Sequence, residues 1–330
     1  MVTVCVDAMG GDEKPQVVLD GITAALEADE DLCVLVAGDE DVVVPYCEAH
    51  EGRARALVTT EVIGMGEHPA EAVRKKKDSS IVRGCAAVRA GDADAFFSAG
   101  STGAVLTAAT LNVGRIKGIK RPALALAMPG PDDTTTILLD VGANADCRPE
   151  MLVQFAHMGR AYCQVLTGNE NPRVALLSNG SEETKGSEAA LANHAALKEA
   201  GCNFVGNAEG VDILKGTFDV IVCDGFTGNV ALKSLEGTAK YIVGELKAAV
   251  KASKRAAVGA LLVKPALKQV AGKLSGEKVG GAILLGLRGP VLIGHGATSV
   301  ADVKAGTLAC ANAVRAELCA NIADACAIAS

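Results

Sequence analysis

A chain of 330 residues is long enough to bury roughly three quarters of its unfolded surface, so a full core needs no disulfide help. A net charge of −7 excludes a broadly basic nucleic-acid binder, and no nucleic acid is expected as a partner. The eleven cysteines lie mostly inside apolar runs (Cys5, Cys33, Cys223, Cys310) with no Cys-x-x-Cys pair, which points to packed thiols in a reducing cytosol rather than bridges or a cysteine metal site.

In chain order, Val2-Thr-Val-Cys-Val6 reads as a strand ending in Asp7-Ala-Met-Gly10-Gly11-Asp12, with helical spacing from Pro15 to Leu26 and again from Ala70 to Ala90. Ala95-Phe-Phe97 ends in Ser98-Ala-Gly100-Ser101-Thr102-Gly103 and is followed by a helix from Ala104 to Val113. Thr136-Ile-Leu-Leu139 ends in Asp140-Val-Gly142-Ala-Asn144 before a helix from Pro149 to Leu166. Val174-Ala-Leu-Leu177 ends in Ser178-Asn-Gly180, with Lys185-Gly186 ahead of a helix from Ser187 to Ala200. Asp219-Val-Ile-Val-Cys-Asp224 stops at Gly225-Phe-Thr-Gly228-Asn229 and resumes as Val230-Ala-Leu-Lys233: a buried strand, a glycine loop and a helix start. The last helical spacing runs from Ala301 to Ala327.

Strand-helix alternation predicts right-handed βαβ units in a mainly parallel, Rossmann-like sheet. No long linker or repeat interrupts it, so residues 1–330 are expected to form one continuous α/β domain. Five strands ending in polar, glycine-containing loops predict one shared crevice at the carboxyl edge of that sheet.

Residues 245–278 depart from the pattern. Eight Lys/Arg (Lys247, Lys251, Lys254, Arg255, Lys264, Lys268, Lys273, Lys278) face Glu245 and Glu277, a local +6 that leaves −13 for the remainder. One apolar stripe holds Ile242, Leu246, Ala249 and Val250; a second holds Val258, Leu261, Leu262, Pro265, Leu267 and Val270. Two short amphipathic helices over 240–275 are expected to project as a hairpin, suited to an anionic lipid surface, to an acidic protein, or to packing within a dimer. No apolar stretch reaches the ~18 residues of a spanning helix and the chain opens on a strand, so the expectation is a protein of the cytosol, or one lying on a membrane without crossing it.

Gly64-Met-Gly66 is followed by Pro69 where a dinucleotide fingerprint needs its third glycine, and the Asp224 loop is no Walker loop, so neither nicotinamide nor nucleoside triphosphate is expected. There is no Gly-x-Ser-x-Gly elbow and no closely spaced histidine pair among five histidines, so no cofactor and no metal are expected. The remaining inventory of backbone N–H groups, amides, hydroxyls, carboxylates and two lysines suits a reaction whose nucleophile arrives with the substrate, such as inorganic phosphate. In such a site Asp140 and Asp224 either orient Lys185, Lys233 or Asn229, or cap helices.

Taken in order, Asp7-Ala-Met-Gly-Gly-Asp12, Arg74-Lys-Lys-Lys-Asp-Ser-Ser80, Ser98-Ala-Gly-Ser-Thr-Gly-Ala104, Leu139-Asp-Val-Gly-Ala-Asn144, Lys185-Gly186, Val205-Gly-Asn-Ala-Glu-Gly210, Cys223-Asp-Gly-Phe-Thr-Gly-Asn229, Lys233 and His295-Gly296 resemble the bacterial phosphate acyltransferases of phospholipid synthesis over nearly the whole chain. Two departures stand out: Ser101 where the family has Asn, and Ser178-Asn-Gly-Ser-Glu-Glu183 in place of Asn-Ile-Gly-Glu-Glu. The resemblance implies a three-layer α/β/α fold like isocitrate dehydrogenase or phosphotransacetylase, and a homodimer. It implies transfer of a long-chain acyl group from acyl carrier protein to inorganic phosphate, giving acyl phosphate for a membrane acyl-phosphate:glycerol-3-phosphate acyltransferase. It further implies a cytoplasmic protein held peripherally at the inner face of an anionic membrane. Carried onto this sequence, the catalytic residues are Lys185, Asp224, Asn229, Lys233 and His295, the last either a proton donor to the leaving thiolate or a structural histidine. The substrate-binding residues are Asp7, Gly10, Gly11, Asp12, Ser98, Gly100, Ser101, Thr102, Gly103, Asp140, Gly142, Asn144, Gly180, Gly186, Asn207, Glu209, Gly225, Gly228 and Gly296. Either Arg74 to Lys77 or the hairpin lysines would receive the acidic carrier protein. The competing readings are a short-chain phosphotransacetylase using coenzyme A, and a non-enzymatic phosphate-ligand scaffold at the membrane.

Overall fold

The computed structural model describes residues 1–253, 255–264 and 280–328. Among these, eleven strands form one sheet: β1 (Val2–Asp7), β2 (Leu32–Gly38), β3 (Ala54–Val58), β4 (Ala95–Ser98), β5 (Ala123–Pro129), β6 (Thr135–Leu139), β7 (Val174–Leu177), β8 (Phe204–Ala208), β9 (Val220–Val222), β10 (Ala282–Leu285) and β11 (Val291–Ile293). The helices are α1 (Gln16–Ala28), α2 (Glu40–Ala49), α3 (Pro69–Lys75), α4 (Ser80–Ala90), α5 (Thr102–Ala108), α6 (Pro149–Thr167), α7 (Glu188–Glu199), α8 (Gly225–Lys251), α9 (255–264), α10 (Val300–Arg315) and α11 (Leu318–Ile328).

Alternate residues of each strand enter opposite cores, as the two-residue period of a strand requires. Val4, Val6, Phe97, Ile137 and Leu139 pack under α1, α6, α10 and α11. Cys5, Phe96, Leu138 and Ile221 pack under α4, α5 and the first turns of α8. The result is the three-layer α/β/α architecture expected, with the strands between the edge strands β3 and β8 buried on both faces, which is why they read as continuous apolar runs.

The strand order is β3-β2-β1-β4-β11-β10-β5-β6-β9-β7-β8. Seven of the ten neighbouring pairs are parallel; β10 is antiparallel to both β11 and β5, and β5 is antiparallel to β6. The sheet therefore changes direction at its middle. Strands β1 to β5 and β11 point one way, and β6 to β10 the other. This corrects the expectation of one shared crevice: the loops after β1, β4 and β11 open at one edge of the sheet, and those after β6, β7, β8 and β9 at the opposite edge.

Local boundaries also differ from simple periodicity. The helical pattern over 70–90 is two helices, because Ser79 accepts the Val82 N–H (3.4 Å) and starts α4 anew. The pattern over 301–327 breaks at Glu317, which adopts a left-handed φ of 51°. The first arm of the expected hairpin is not a short helix but the distal half of α8, 27 residues in all, whose Tyr241, Ile242, Val243 and Leu246 are exposed. Val258, Leu261, Leu262 and Val263 of α9 are exposed as well. Lys254, Pro265, Leu267, Lys268, Val270, Lys273, Glu277 and Lys278 lie outside the described residues. Among the described residues no helix is long and apolar enough to cross a membrane.

Candidate active site

The loops after β6 and β9 are locked together. Strand β6 is apolar on both faces and delivers Asp140 to its end at 0% exposure. A carboxylate so placed is tolerable only when its lone pairs are filled. Its Oδ1 accepts N–H groups from Leu124 (3.0 Å), Gly142 (3.2 Å) and Ala143 (2.9 Å), and its Oδ2 accepts from the backbone N–H (2.7 Å) and side-chain amide (2.8 Å) of Asn144. Burial pushes this carboxyl above its ordinary value, and the hydrogen bonds from Ala143, Asn144 and Leu124 pull it back. Asp140 is thus a scaffold for the 140–144 turn, not a substrate ligand. Gly142, at φ 137°, supplies backbone freedom that the turn requires.

Strand β9 ends at Asp224, which caps α8: it accepts the Thr227 N–H (2.7 Å) and the Thr227 hydroxyl (2.9 Å). Of the two roles open to Asp224, capping is the one observed. The Gly225 N–H donates to the Asn144 carbonyl (2.7 Å), and a Cβ on Gly228 would collide with the Asp140 carbonyl oxygen. Glycine at both positions lets the start of α8 lie directly on the Asp140 turn. Asn229 then faces that turn, its Oδ1 within 3.8 Å of where a Gly142 Cβ would be. Lys233, one turn further along α8, is 58% exposed and pairs with Glu236 (2.8 Å) rather than with either aspartate.

At the same edge, the 178–186 segment follows β7, is exposed from Ser181 onward and carries Lys185. Asn207 on β8 spends its side-chain amide on the carbonyls of Gly180 (3.3 Å) and Glu182 (2.9 Å), so it holds this loop rather than offering itself to a ligand. Gly186 turns at φ 117° into the Ser187 cap of α7. Glu209 caps the short turn after β8, in a reciprocal box with Asp212. Two thiols adjoin the site. Burial, with the Asp140 charge adding, raises Cys147 to about 12 and Cys223 well above its ordinary value, so both are protonated at neutrality.

The opposite edge gathers the rest of the sequence-derived residues. Asp7 is buried and accepts the Ser98 hydroxyl (2.7 Å) and the Met9 N–H (3.0 Å); the Gly100 N–H donates to the Ser98 hydroxyl (3.0 Å). Asp12 N–H donates to the Gly296 carbonyl (2.9 Å), tying the loops after β1 and β11. Gly10 fits against the Gly100 N–H, Gly11 turns at φ 94°, and Gly103 packs on Pro69. Ser101 begins α5, ahead of Thr102, without a side-chain cap bond. His295 is exposed here and accepts the Ala297 N–H (3.2 Å). Strand direction places it on the sheet edge opposite the one that carries Lys185 and Lys233, because β11 runs counter to β7 and β9.

Glu236 was missed at the sequence level although its three-residue offset from Lys233 is legible; the Asn207-to-loop bonds were not legible, since they join residues in different elements. The architecture is that of the phosphotransacylases. A branched-chain phosphotransacylase from Enterococcus faecalis superposes with a TM-score of 0.62 at 16% identity, covering 95% of this chain and 99% of that one. A EutD phosphotransacetylase from Staphylococcus aureus gives 0.57 at 18% identity, with 96% and 94% covered. The family model described as "Fatty acid synthesis protein" matches residues 2–321. Relatives named "Phosphate acyltransferase" from Bacillus pumilus (45% identical; 89% of each chain) and Levilactobacillus brevis (47% identical; 91% of this chain and 88% of that one) align along most of the sequence. The chain belongs to this fatty acid synthesis protein family of phosphate acyltransferases.

Proposed function

We propose that the protein transfers a long-chain acyl group from acyl carrier protein to inorganic phosphate, releasing acyl phosphate for phospholipid synthesis, with 1–330 acting as one acyltransferase domain. The observation that carries this reading is the chemistry on the one sheet edge where β6, β9 and β7 end: the exposed amide of Asn229 and the exposed Lys233 at the start of a long helix, beside thiols held protonated, with the exposed Lys185 on the loop after the neighbouring β7. Such a site binds and stabilises anions without supplying the nucleophile. Phosphate brings its own, being ionised near neutrality. One phosphate oxygen attacks the thioester carbonyl carbon, the carbonyl π electrons move to oxygen, and collapse of that tetrahedral oxyanion breaks the C–S bond. The thiolate leaves with the carrier protein and takes up a proton. Asn229 and Lys233 hold phosphate near the N-terminus of α8, and Lys185 balances the oxyanion charge.

The exposed apolar residues of distal α8 and α9, interspersed with lysines, support a peripheral seat on an anionic membrane, where acyl phosphate passes to a membrane acyl-phosphate:glycerol-3-phosphate acyltransferase. The working unit in this reading is a cytoplasmic homodimer. Incubation with long-chain acyl carrier protein and phosphate tests the reaction: hydroxylamine-trappable acyl phosphate and free carrier should form in a phosphate-dependent way. Equal or better turnover with short-chain acyl coenzyme A would replace this reading by a phosphotransacetylase, and binding without turnover would replace it by a scaffold.

A further inference from the structure

We propose that a buried pair, His194 on α7 and Asn207 on β8, positions the loop that carries Lys185; this rests on the reading that Lys185 acts in acyl transfer. Both residues are 6% exposed, whereas residues 181–189 are exposed without interruption. An exposed loop must be held from beneath if its lysine is to meet a reacting group at a fixed distance. Asn207 does so twice, through Gly180 and Glu182. With both amide hydrogens committed to carbonyls, its Oδ1 is an acceptor, and His194 Nδ1 lies 2.9 Å from it. Nδ1 is therefore the protonated nitrogen; a flipped amide would set its oxygen against two carbonyl oxygens. His194 Nε2 faces Glu183 of the same loop at 3.9 Å, and Glu183 also pairs with Lys198 at 3.2 Å. The His194 ring packs edge-on against Phe204 at 4.9 Å, which fixes its orientation. Loop, strand and following helix are thereby tied through one hydrogen-bonded chain, His194 to Asn207 to the backbone of 180–182.

Neither residue reaches the reacting atoms in this scheme, so each is a positioning residue, and the test needs a signal that mere stability would not give. His194→Phe keeps the ring against Phe204 and deletes the Nδ1 donor. His194→Asn places an amide donor where Nδ1–H was. Asn207→Ala removes both loop contacts. Steady-state rates against phosphate, together with hydrogen exchange of the 179–186 amides, are measured for these three and for Lys185→Ala. For His194→Phe and Asn207→Ala the expected result is a loss on the order of tenfold or more in kcat/KM for phosphate, with faster exchange confined to the loop and a Tm that stays well above the assay temperature. His194→Asn should recover most of both. Wild-type kinetics and loop exchange in folded His194→Phe, beside an inactive Lys185→Ala, would overturn the positioning role. Full turnover in Lys185→Ala would instead overturn the assignment of Lys185 on which this inference rests. Should Asn207→Ala fail to fold, the His194 variants decide alone.

Discussion

Asn229 and Lys233 occupy successive turns at the start of α8, both exposed, with Asn229 facing Gly142 of the Asp140 turn and Lys233 paired with Glu236. In the proposed mechanism, replacing either by alanine removes one donor to phosphate without uncovering any core, so each is expected to lower turnover on the order of 10²-fold while the unfolding midpoint stays put. Wild-type rates in either variant would remove that residue from the mechanism. Cys147 offers the converse test. Its thiol, raised to about 12 by burial, holds almost no thiolate at pH 7. Cys147→Ala should keep turnover within about twofold, and iodoacetamide should leave the native enzyme active; stoichiometric acylation of this cysteine, seen by mass spectrometry during turnover, would overturn attack by phosphate itself.

The helix α8 serves two surfaces, and its glycines mark where one ends and the other begins. Gly228 has no room for a side chain against the Asp140 carbonyl, whereas a Cβ on Gly237 meets nothing within 4 Å. Gly228→Ala is expected to lift α8 off the 140–144 turn, costing about 2 kcal/mol or more of stability and most of the activity. Gly237→Ala should be neutral or stabilising by up to about 1 kcal/mol, through helix propensity. Urea unfolding of the two variants side by side separates these outcomes. Further along, Val258, Leu261 and Leu262 of α9 are all exposed. If the protein is the membrane-seated homodimer proposed above, replacing the three by serine should release it from anionic vesicles in sedimentation while its dimeric elution and its activity toward soluble substrates persist; a variant that still sediments with lipid contradicts the membrane role, and one that elutes as a monomer assigns this surface to subunit packing instead.

At the scale of the molecule, the two ends of the chain meet in the first half of the sheet. Arg315, closing α10, donates to both carboxylate oxygens of Asp29 just after α1, at 2.7 and 3.1 Å. The Arg315 hydrogen bonds hold Asp29 below its ordinary value of 3.8. A carboxyl whose pKa is lowered by folding contributes stability above its unfolded value and loses it as the pH falls through the folded one. Arg315→Ala should therefore be less stable than the parent by about 0.5–1 kcal/mol at pH 7, the size expected of an exposed pair. That difference should shrink below about pH 4 as Asp29 protonates, and urea midpoints at pH 7 and pH 3 check it.

The α/β class, five of the eleven strands (β1, β4, β6, β7 and β9), and the loops that carry Asp140, Asp224 and Lys185 were legible in the sequence, because a strand buried on both faces is an apolar run and each of these runs stops at glycine and a polar residue. The cap at Asp224 was legible for the same local reason, its partner Thr227 being three residues away. The grouping of loops was not. Which edge a loop opens on depends on strand direction, which three antiparallel pairings at the centre of the sheet decide; β5 with β6 is a hairpin marked locally by Gly130-Pro131, but β10 with β5 joins strands more than 150 residues apart and leaves no local trace. These three pairings together put the ends of β1 and β11 on the edge opposite the ends of β7 and β9. Burial likewise decided Asp140 and Asn207: both read as ligands in a list of motifs, and both are spent on backbone groups that only the folded chain brings within hydrogen-bonding distance.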